Sequence, residues 1–241
     1  MMPKLVIGCS SFYNRLWKDI FYPPEIPSKH WFEYYSTQFD SFEINSSFYK
    51  MPTVRSLKGW ANRTPQDFIF SIKVPKEITH IRRLKDCAGL LDEFYSIATE
   101  SLGNKLGCIL FQFPPSFRYS EENLKLLTQS VRPELEIAVE FRNETWWRQE
   151  TYDTLETTGV TFCIPSYPKL PFVFIKTSDT GFIRLHGDPR IFYSEYNKDF
   201  LLQMYAQINE SGWKKAYVYF NNTAGEGGIL NAVAFKKIVG L

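Results

Sequence analysis

The sequence predicts an α/β protein folded as an eight-stranded parallel (β/α)8 barrel of the TIM type, and three observations carry that expectation. Strand-like apolar runs alternate with helix-like periodic segments along all 241 residues, an order that parallel, right-handed crossovers accommodate. None of those runs is followed by the Gly-x-Gly-x-x-Gly pattern that marks the commonest dinucleotide-binding open sheet. Six runs end with polar or charged residues at alternate positions: Phe42-Glu43-Ile44-Asn45, Phe70-Ser71-Ile72-Lys73, Leu110-Phe111-Gln112, Val139-Glu140-Phe141-Arg142, Ile183-Arg184-Leu185-His186 and Val218-Tyr219-Phe220-Asn221. Residues two apart share a strand face, so each run turns its polar residues one way and its bulky apolar ones the other. In a barrel such polar ends converge on the C-terminal mouth, where active sites are built.

The first strand covers Leu5 to Cys9, and after an aromatic loop a helix runs from Ser28 to Gln38 with Ser28 as its N-cap,. Phe42 to Asn45 forms the second strand, followed by a helix from Thr53 to Asn62 capped by Thr53,. Phe68 to Lys73 is the third; a long loop then leads to a helix from Asp86 to Leu102, ended by Gly103 as a left-handed C-cap,. The fourth strand, Leu106 to Phe113, stops at Pro114-Pro115, and Ser120 opens the next helix with Glu121 and Glu122 in its first turn,. Leu135 to Phe141 is the fifth, with a helix from Thr145 to Thr157 behind it, and Val160 to Ile164 is the sixth. Pro165 to Thr180 carries three prolines and reads as a long loop with a short strand at Phe172 to Ile175, so the sixth helix is replaced. Phe182 to His186 and Ala216 to Asn221 complete the eight, with helices at Asn197 to Glu210 and Leu230 to Val239. No internal repeat, low-complexity tract or linker breaks the pattern, and residues 1–241 are expected to form one domain,.

Apolar residues make up 44% of the chain and aromatics 17%, ample for a core, and no apolar run is long enough to suggest a membrane span. The amino terminus passes directly into a strand without a signal-peptide pattern, so a cytoplasmic protein is expected,. Cys9, Cys87, Cys108 and Cys163 are far apart, with no CxxC spacing, and read as buried thiols,. A net charge of +2 is too small for a dedicated duplex-binding surface.

An ordered set of motifs runs the length of the chain. Ile7-Gly8-Cys9-Ser10 with Trp17 and Phe21-Tyr22-Pro23 comes first, then Phe42-Glu43-Ile44-Asn45-Ser46-Ser47-Phe48-Tyr49, Thr64-Pro65, and Lys73 with Ile78-Thr79-His80. Gln112-Phe113-Pro114-Pro115-Ser116-Phe117, Val139-Glu140-Phe141-Arg142, Arg184-Leu185-His186-Gly187, Tyr219-Phe220-Asn221-Asn222 and Asn231-Ala232 follow. This set resembles the DUF72 (YecE-like) family. The resemblance implies a TIM-type barrel and supplies no activity, because the family's function is unknown. The chain departs from the family pattern at Ser11 and Asp19, where glycines are usual, and at Asn143, where a histidine often follows the arginine.

On the face shared by the six polar ends, the ionisable set is Glu43, Lys73, Glu140, Arg142, Arg184 and His186, with Ser10, Asn45, Gln112, Tyr219 and Asn221 as neutral partners. Three fixed cations against two carboxylates leave a positive surplus at low dielectric, which favours a phosphate or carboxylate gripped by Arg142 or Arg184. His186 is the natural general acid or base, with Glu140 or Glu43 holding its tautomer or acting as a base, and His80 is a further lining residue. The structural alternative pairs Glu43 with Lys73 and Glu140 with Arg184, although six buried charges would be costly for packing alone.

Other chemistries use the same residues. Glu43, Glu140 and His186 resemble a divalent-metal ligand set, opposed by the neighbouring cations, and no cofactor is expected. A desolvated Lys73 could form a Schiff base, and Glu43 with Glu140 could serve a glycosidase if they approach closely enough. A non-enzymatic reading makes Phe12, Tyr13, Trp17, Phe48, Tyr49, Trp146 and Trp147 a stacking surface for single-stranded nucleic acid. The Gly225-Glu226-Gly227-Gly228 turn offers amides to a phosphate. The expectation taken forward is an enzyme using acid–base chemistry on a small anionic or phosphate-bearing substrate. Glu43, Lys73, Glu140 and His186 are the catalytic candidates, and Ser10, Asn45, His80, Gln112, Arg142, Arg184, Tyr219 and Asn221 the binding ones. A nucleic-acid binder, or a metal-dependent nuclease or isomerase, is the alternative.

Overall fold

A computed structural model describes residues 2–241. The strands are β1 (Lys4–Cys9), β2 (Ser41–Ile44), β3 (Ile69–Lys73), β4 (Leu106–Gln112), β5 (Ile137–Glu140), β6 (Thr161–Phe162), β7 (Ile164–Ser166), β8 (Thr180–Leu185) and β9 (Lys215–Phe220). They pair in parallel in the order β6-β5-β4-β3-β2-β1-β9-β8-β7. Only Cys163 separates β6 from β7, so the two ends of the order are halves of one interrupted strand, and the sheet curls into a TIM-like α/β barrel,. Parallel neighbours require crossovers, supplied by α1 (Trp31–Gln38), α2 (Val54–Ala61), α3 (Ala88–Leu102), α4 (Glu121–Ser130), α5 (Gln149–Thr158), α6 (Lys198–Glu210) and α7 (Gly227–Val239),. No helix joins β7 to β8, as the proline-rich segment implied, and residues 172–175 form no strand. Among the described residues, no helix is long and apolar enough to cross a membrane.

Helix ends follow local chemistry. Thr53 caps α2 in a reciprocal capping box with Ser56, and the Ser120 hydroxyl accepts from the Asn123 amide at 3.1 Å to start α4,. Ser28 does not cap α1. It lies in a 3-10 turn, Ser28–His30, with Pro27 ahead of it, and α1 starts only at Trp31. The fifth crossover begins with a 3-10 turn, Glu144–Trp146, so α5 starts later than the pattern suggested. The last helix starts earlier, at Gly227, and Gly227 and Gly228 pack closely on Glu195 and Asn222. Asp19 adopts φ +64°, the conformation that favours the glycine usual there,.

The barrel interior is layered. Val6, Ile69, Cys108, Leu110, Ala138, Cys163, Phe182, Tyr217 and Tyr219 fill its lower part as an apolar cluster separate from the larger core beneath the helices,. At Gly8 a Cβ would lie 2.3 Å from the Ser41 carbonyl oxygen, so the close approach of β1 to β2 there requires glycine. Above this packed plug, the side chains become ionic.

Candidate functional site

Arg184 is the centre of the ionic layer. Its Nε and Nη2 donate to the two oxygens of Glu43 across the barrel at 2.8 and 2.7 Å, and its Nη1 donates to Glu140 Oε2 at 2.6 Å. Arg142 Nε donates to the other Glu140 oxygen, and Asn45 Nδ2 donates to Glu43 Oε2 at 3.0 Å. Glu43 and Glu140 are wholly buried, and Arg184 is 1% exposed. Burial alone would raise the Glu140 pKa, but Arg142, Arg184 and His186 hold it well below the ordinary carboxylate range,. Burial opposes the Arg184 charge as well, and Glu43 and Glu140 overcome it and raise its pKa. The expected Glu140–Arg184 pair is therefore present, whereas the Glu43–Lys73 pair is not: the guanidinium fork fits both Glu43 oxygens, which a point-like ammonium cannot do,.

Lys73 stands apart. Its ammonium donates to Gln112 Oε1 at 2.8 Å and lies 3.9 Å from the centroid of the Phe48 ring. The Gln112 amide is itself anchored, donating to the Phe113 carbonyl at 2.6 Å, so its oxygen is fixed toward the lysine. Among the described residues, no carboxylate comes within ion-pair distance of Lys73. Burial, with Arg184 second, lowers its pKa to about 7, while Glu140 and Glu43 partly resist the shift,.

His186 is sealed behind Arg142, whose Nη2 donates to the ring Nε2 at 3.0 Å; the Asn221 amide meets Nδ1 at 2.7 Å. Burial first, then Arg142, pushes its pKa down to about 3. The ring is thus neutral near pH 7 and hidden from solvent, which does not fit the proton-carrying role expected of it.

These groups surround a cavity of about 420 Å³ at the mouth. Ser10, Asn45, Lys73, Gln112, Arg142, Arg184 and Asn221 line it, as expected from the strand ends. Glu43, Glu140 and His186 lie behind that wall, fully buried. Tyr219 points inward but one layer too low: its hydroxyl donates to Ser71 Oγ at 2.9 Å within the packed plug. His80 is screened by the Phe48 ring, 4.8 Å away between centroids, and burial and Lys73 lower its pKa to about 4. Neither residue belongs to the cavity wall.

The sequence reading missed Tyr167, Phe192 and Pro115, which line the cavity along with Phe48 and Tyr49. Tyr167 lies beneath the Arg142 guanidinium at 3.9 Å,. Its signal was position: it directly follows β7, whose end the reading placed at Ile164 rather than Ser166. Phe192 comes from the loop after β8, where no periodicity marks it.

Three of the aromatics assigned to a stacking surface are packed into the fold instead. Trp146 stacks on Phe141 at 4.0 Å and donates to the Phe117 carbonyl, Trp17 donates to that of Gly225, and Phe12 packs against Phe32, Phe42 and Trp60. Asn143 caps the 3-10 turn and donates to the Pro115 carbonyl at 2.8 Å, outside the cavity wall. Among the described residues, no group of three or more His, Cys, Asp and Glu side chains is arranged to hold a metal. In the triad proposed for one, all four carboxylate oxygens face guanidinium donors.

Comparison with known proteins agrees with this architecture. A family model described as "Protein of unknown function DUF72" matches residues 6–241. The UPF0759 protein YunF of Bacillus subtilis is 27% identical over 242 aligned positions, covering 86% of each chain. The UPF0759 protein YecE of Escherichia coli K12 is 31% identical over a shorter stretch, 35% of this chain and 31% of its own. A DUF72 family protein from Thermotoga maritima superposes with a TM-score of 0.88 at 30% identity, covering 99% of this chain and 100% of that one. Another, from Enterococcus faecalis, gives a TM-score of 0.83 at 19% identity, over 98% of this chain and 96% of its own, and is similar in fold.

Proposed function

The chain belongs to the DUF72 family of proteins of unknown function, and from its site we propose that it is an enzyme performing proton-transfer chemistry on a small anionic substrate at the barrel mouth. One observation carries the reading: a buried lysine with no carboxylate partner, its pKa lowered to about 7, faces a polar cavity that Arg142 and Arg184 also line. A group whose pKa lies near the working pH is effective in both directions of proton transfer. Arg142 has one edge on Glu140 and its face on Tyr167, which fixes its plane for gripping a phosphate or carboxylate,.

The reading needs no resident metal, because the carboxylates that would hold one are committed to guanidinium groups. Glu43 and Glu140 act here as fixed counter-charges and not as a glycosidase pair. In this reading Lys73 is the catalytic residue, Arg142 binds the anion, and Ser10, Asn45, Gln112 and Asn221 supply hydrogen bonds to the rest of a small ligand.

Calorimetric titration with inorganic phosphate, pyrophosphate and malonate tests the binding half. At least one should bind with a stoichiometry near one, and Arg142→Ala should weaken it by about tenfold or more, the effect of losing a charge-assisted contact. Absence of anion binding, indifference to Arg142→Ala, or preferential binding of a single-stranded oligonucleotide with steep salt dependence would overturn the proposal.

A further inference from the structure

The mouth offers a substrate few reactive groups. Every carboxylate oxygen of Glu43 and Glu140 faces a guanidinium donor, and His186 is buried, with Arg142 donating to one ring nitrogen. That leaves Lys73 without a carboxylate or imidazole opposite it on a wall whose other ionisable groups are guanidinium and phenol, so concerted acid–base catalysis lacks its commonest partner. A lone amine has another route to acid–base chemistry: joined to a carbonyl as an iminium, it becomes the electron sink that makes the neighbouring carbon acidic.

We propose that Lys73 forms a Schiff base with a small anionic carbonyl compound, either a 2-oxo acid or a phosphorylated ketone or aldehyde. The inference rests on the anion-binding reading above and names the substrate class for that same cavity. Three features of geometry carry it. Lys73 ends β3, and its side chain lines the cavity wall. Gln112 Oε1 accepts an N–H at 2.8 Å, a bond that a neutral amine also makes while leaving its lone pair free. Arg142 and Arg184 line that same cavity with the amine, so a substrate anchored by its acidic group is held in the space Lys73 faces,.

The chemistry balances without a further reactant. The Nζ lone pair adds to the carbonyl carbon, the π electrons move to oxygen, and that oxygen takes a proton to give a carbinolamine. The nitrogen gives up one proton, so that between them nitrogen and solvent supply one proton each to the oxygen, and the hydroxyl leaves as water while the freed nitrogen lone pair forms the C=N bond. The net change is amine plus carbonyl plus one proton to iminium plus water. Charged and titratable groups from every surrounding element bear on the amine: Glu43 from β2, Glu140 and Arg142 from β5 and its end, Arg184 from β8, and His80 from the turn after β3. Their balance with burial keeps a large fraction of Lys73 neutral near pH 7, where ordinary lysines are almost fully protonated.

The test is reductive trapping on the full chain. The protein is incubated at pH 7 with cyanoborohydride and either pyruvate or dihydroxyacetone phosphate, and the product is measured by intact mass and peptide mapping. One adduct per chain, at Lys73 and enriched about tenfold or more over any other lysine, is the expected result. It should disappear in Lys73→Met, and inorganic phosphate should compete with it. Should phosphate or pyrophosphate bind in calorimetry while Lys73 stays unlabelled with both probes, the covalent proposal fails and the anion-binding reading stands. If neither anions bind nor Lys73 labels, both fall. Mapping the unsubstituted protein decides the matter even if Lys73→Met does not fold.

Discussion

Between β2, β5 and β8 every buried charge at the mouth meets its opposite, whereas between β3 and β4 a buried lysine meets only an amide and an aromatic ring. Both regions belong to one ionic layer and rest on the same apolar plug. The paired side satisfies its desolvated groups with bidentate contacts, as a structural network must. The other side leaves an amine in a state that costs stability and raises reactivity. The contrast separates the scaffold of the site from the group it presents, and perturbed, under-compensated residues are where function concentrates.

Arg184→Met should break the contrast most severely. It strands Glu43 and Glu140 without their shared cation, and a loss of about 3–5 kcal/mol in urea unfolding is expected. Lys73→Met at pH 7 should not destabilise the chain and should raise its stability, because it removes the cost of keeping a desolvated lysine in the fold,. Comparable losses from the two substitutions would show that Lys73 is as structural as Arg184.

On the alkaline side the two regions part further. The Lys73 pKa is about 7 in the folded chain against an ordinary 10.5. Between those values the unfolded chain holds the extra proton, so stability rises with pH across that window. The original protein should gain about 2 kcal/mol relative to Lys73→Met between pH 7 and pH 9, read from unfolding midpoints. Parallel curves would place the lysine pKa near its normal value.

In acid, the paired side responds. His186, at about 3 when folded against an ordinary 6.5, binds its proton more readily in the unfolded chain, so stability falls as pH drops from 6.5. Glu140, held below its ordinary value of 4.5, contributes stability that is present above that value and is lost below it. Replacing His186 with Gln should flatten the first window and Glu140→Gln the second, measured as melting temperature against pH. The smallest effect is expected of Gln112→Leu. It removes the acceptor that favours the ammonium and should lower the pH midpoint of Lys73 trapping by less than about one unit.

Much of this arrangement was legible in the letters, because an alternating strand assigns faces without knowledge of the fold. That is why Glu43, Lys73, Gln112, Glu140, Arg184 and Asn221 were grouped before any contact was known. Alternation does not give depth. Strand tilt and stagger decide which inward residue reaches the opening, and they leave Tyr219 in the plug while Asn221 lines the cavity. Pairing was equally hidden: Glu43 and Lys73 stand on adjacent strands, yet the longer Arg184 crosses the barrel to claim the carboxylate. Tyr167 and Phe192 come from irregular segments, where periodicity says nothing. The fold itself was easier to read, since helix caps such as Thr53 and Ser120 act locally, while Ser28 failed as a cap because the 3-10 turn after Pro27 delays the helix.

A single guanidinium gripping carboxylates on two separated staves, β2 and β5, works as a cross-tie and sets the bore of the vessel before anything enters. Such a fixed gauge leaves little room for selecting guests by breathing of the floor. Discrimination by size would then fall to the collar, where Tyr49 and Phe192 stand partly in water. Exchanging those two rings should retune which molecules are admitted while leaving the chemistry below untouched.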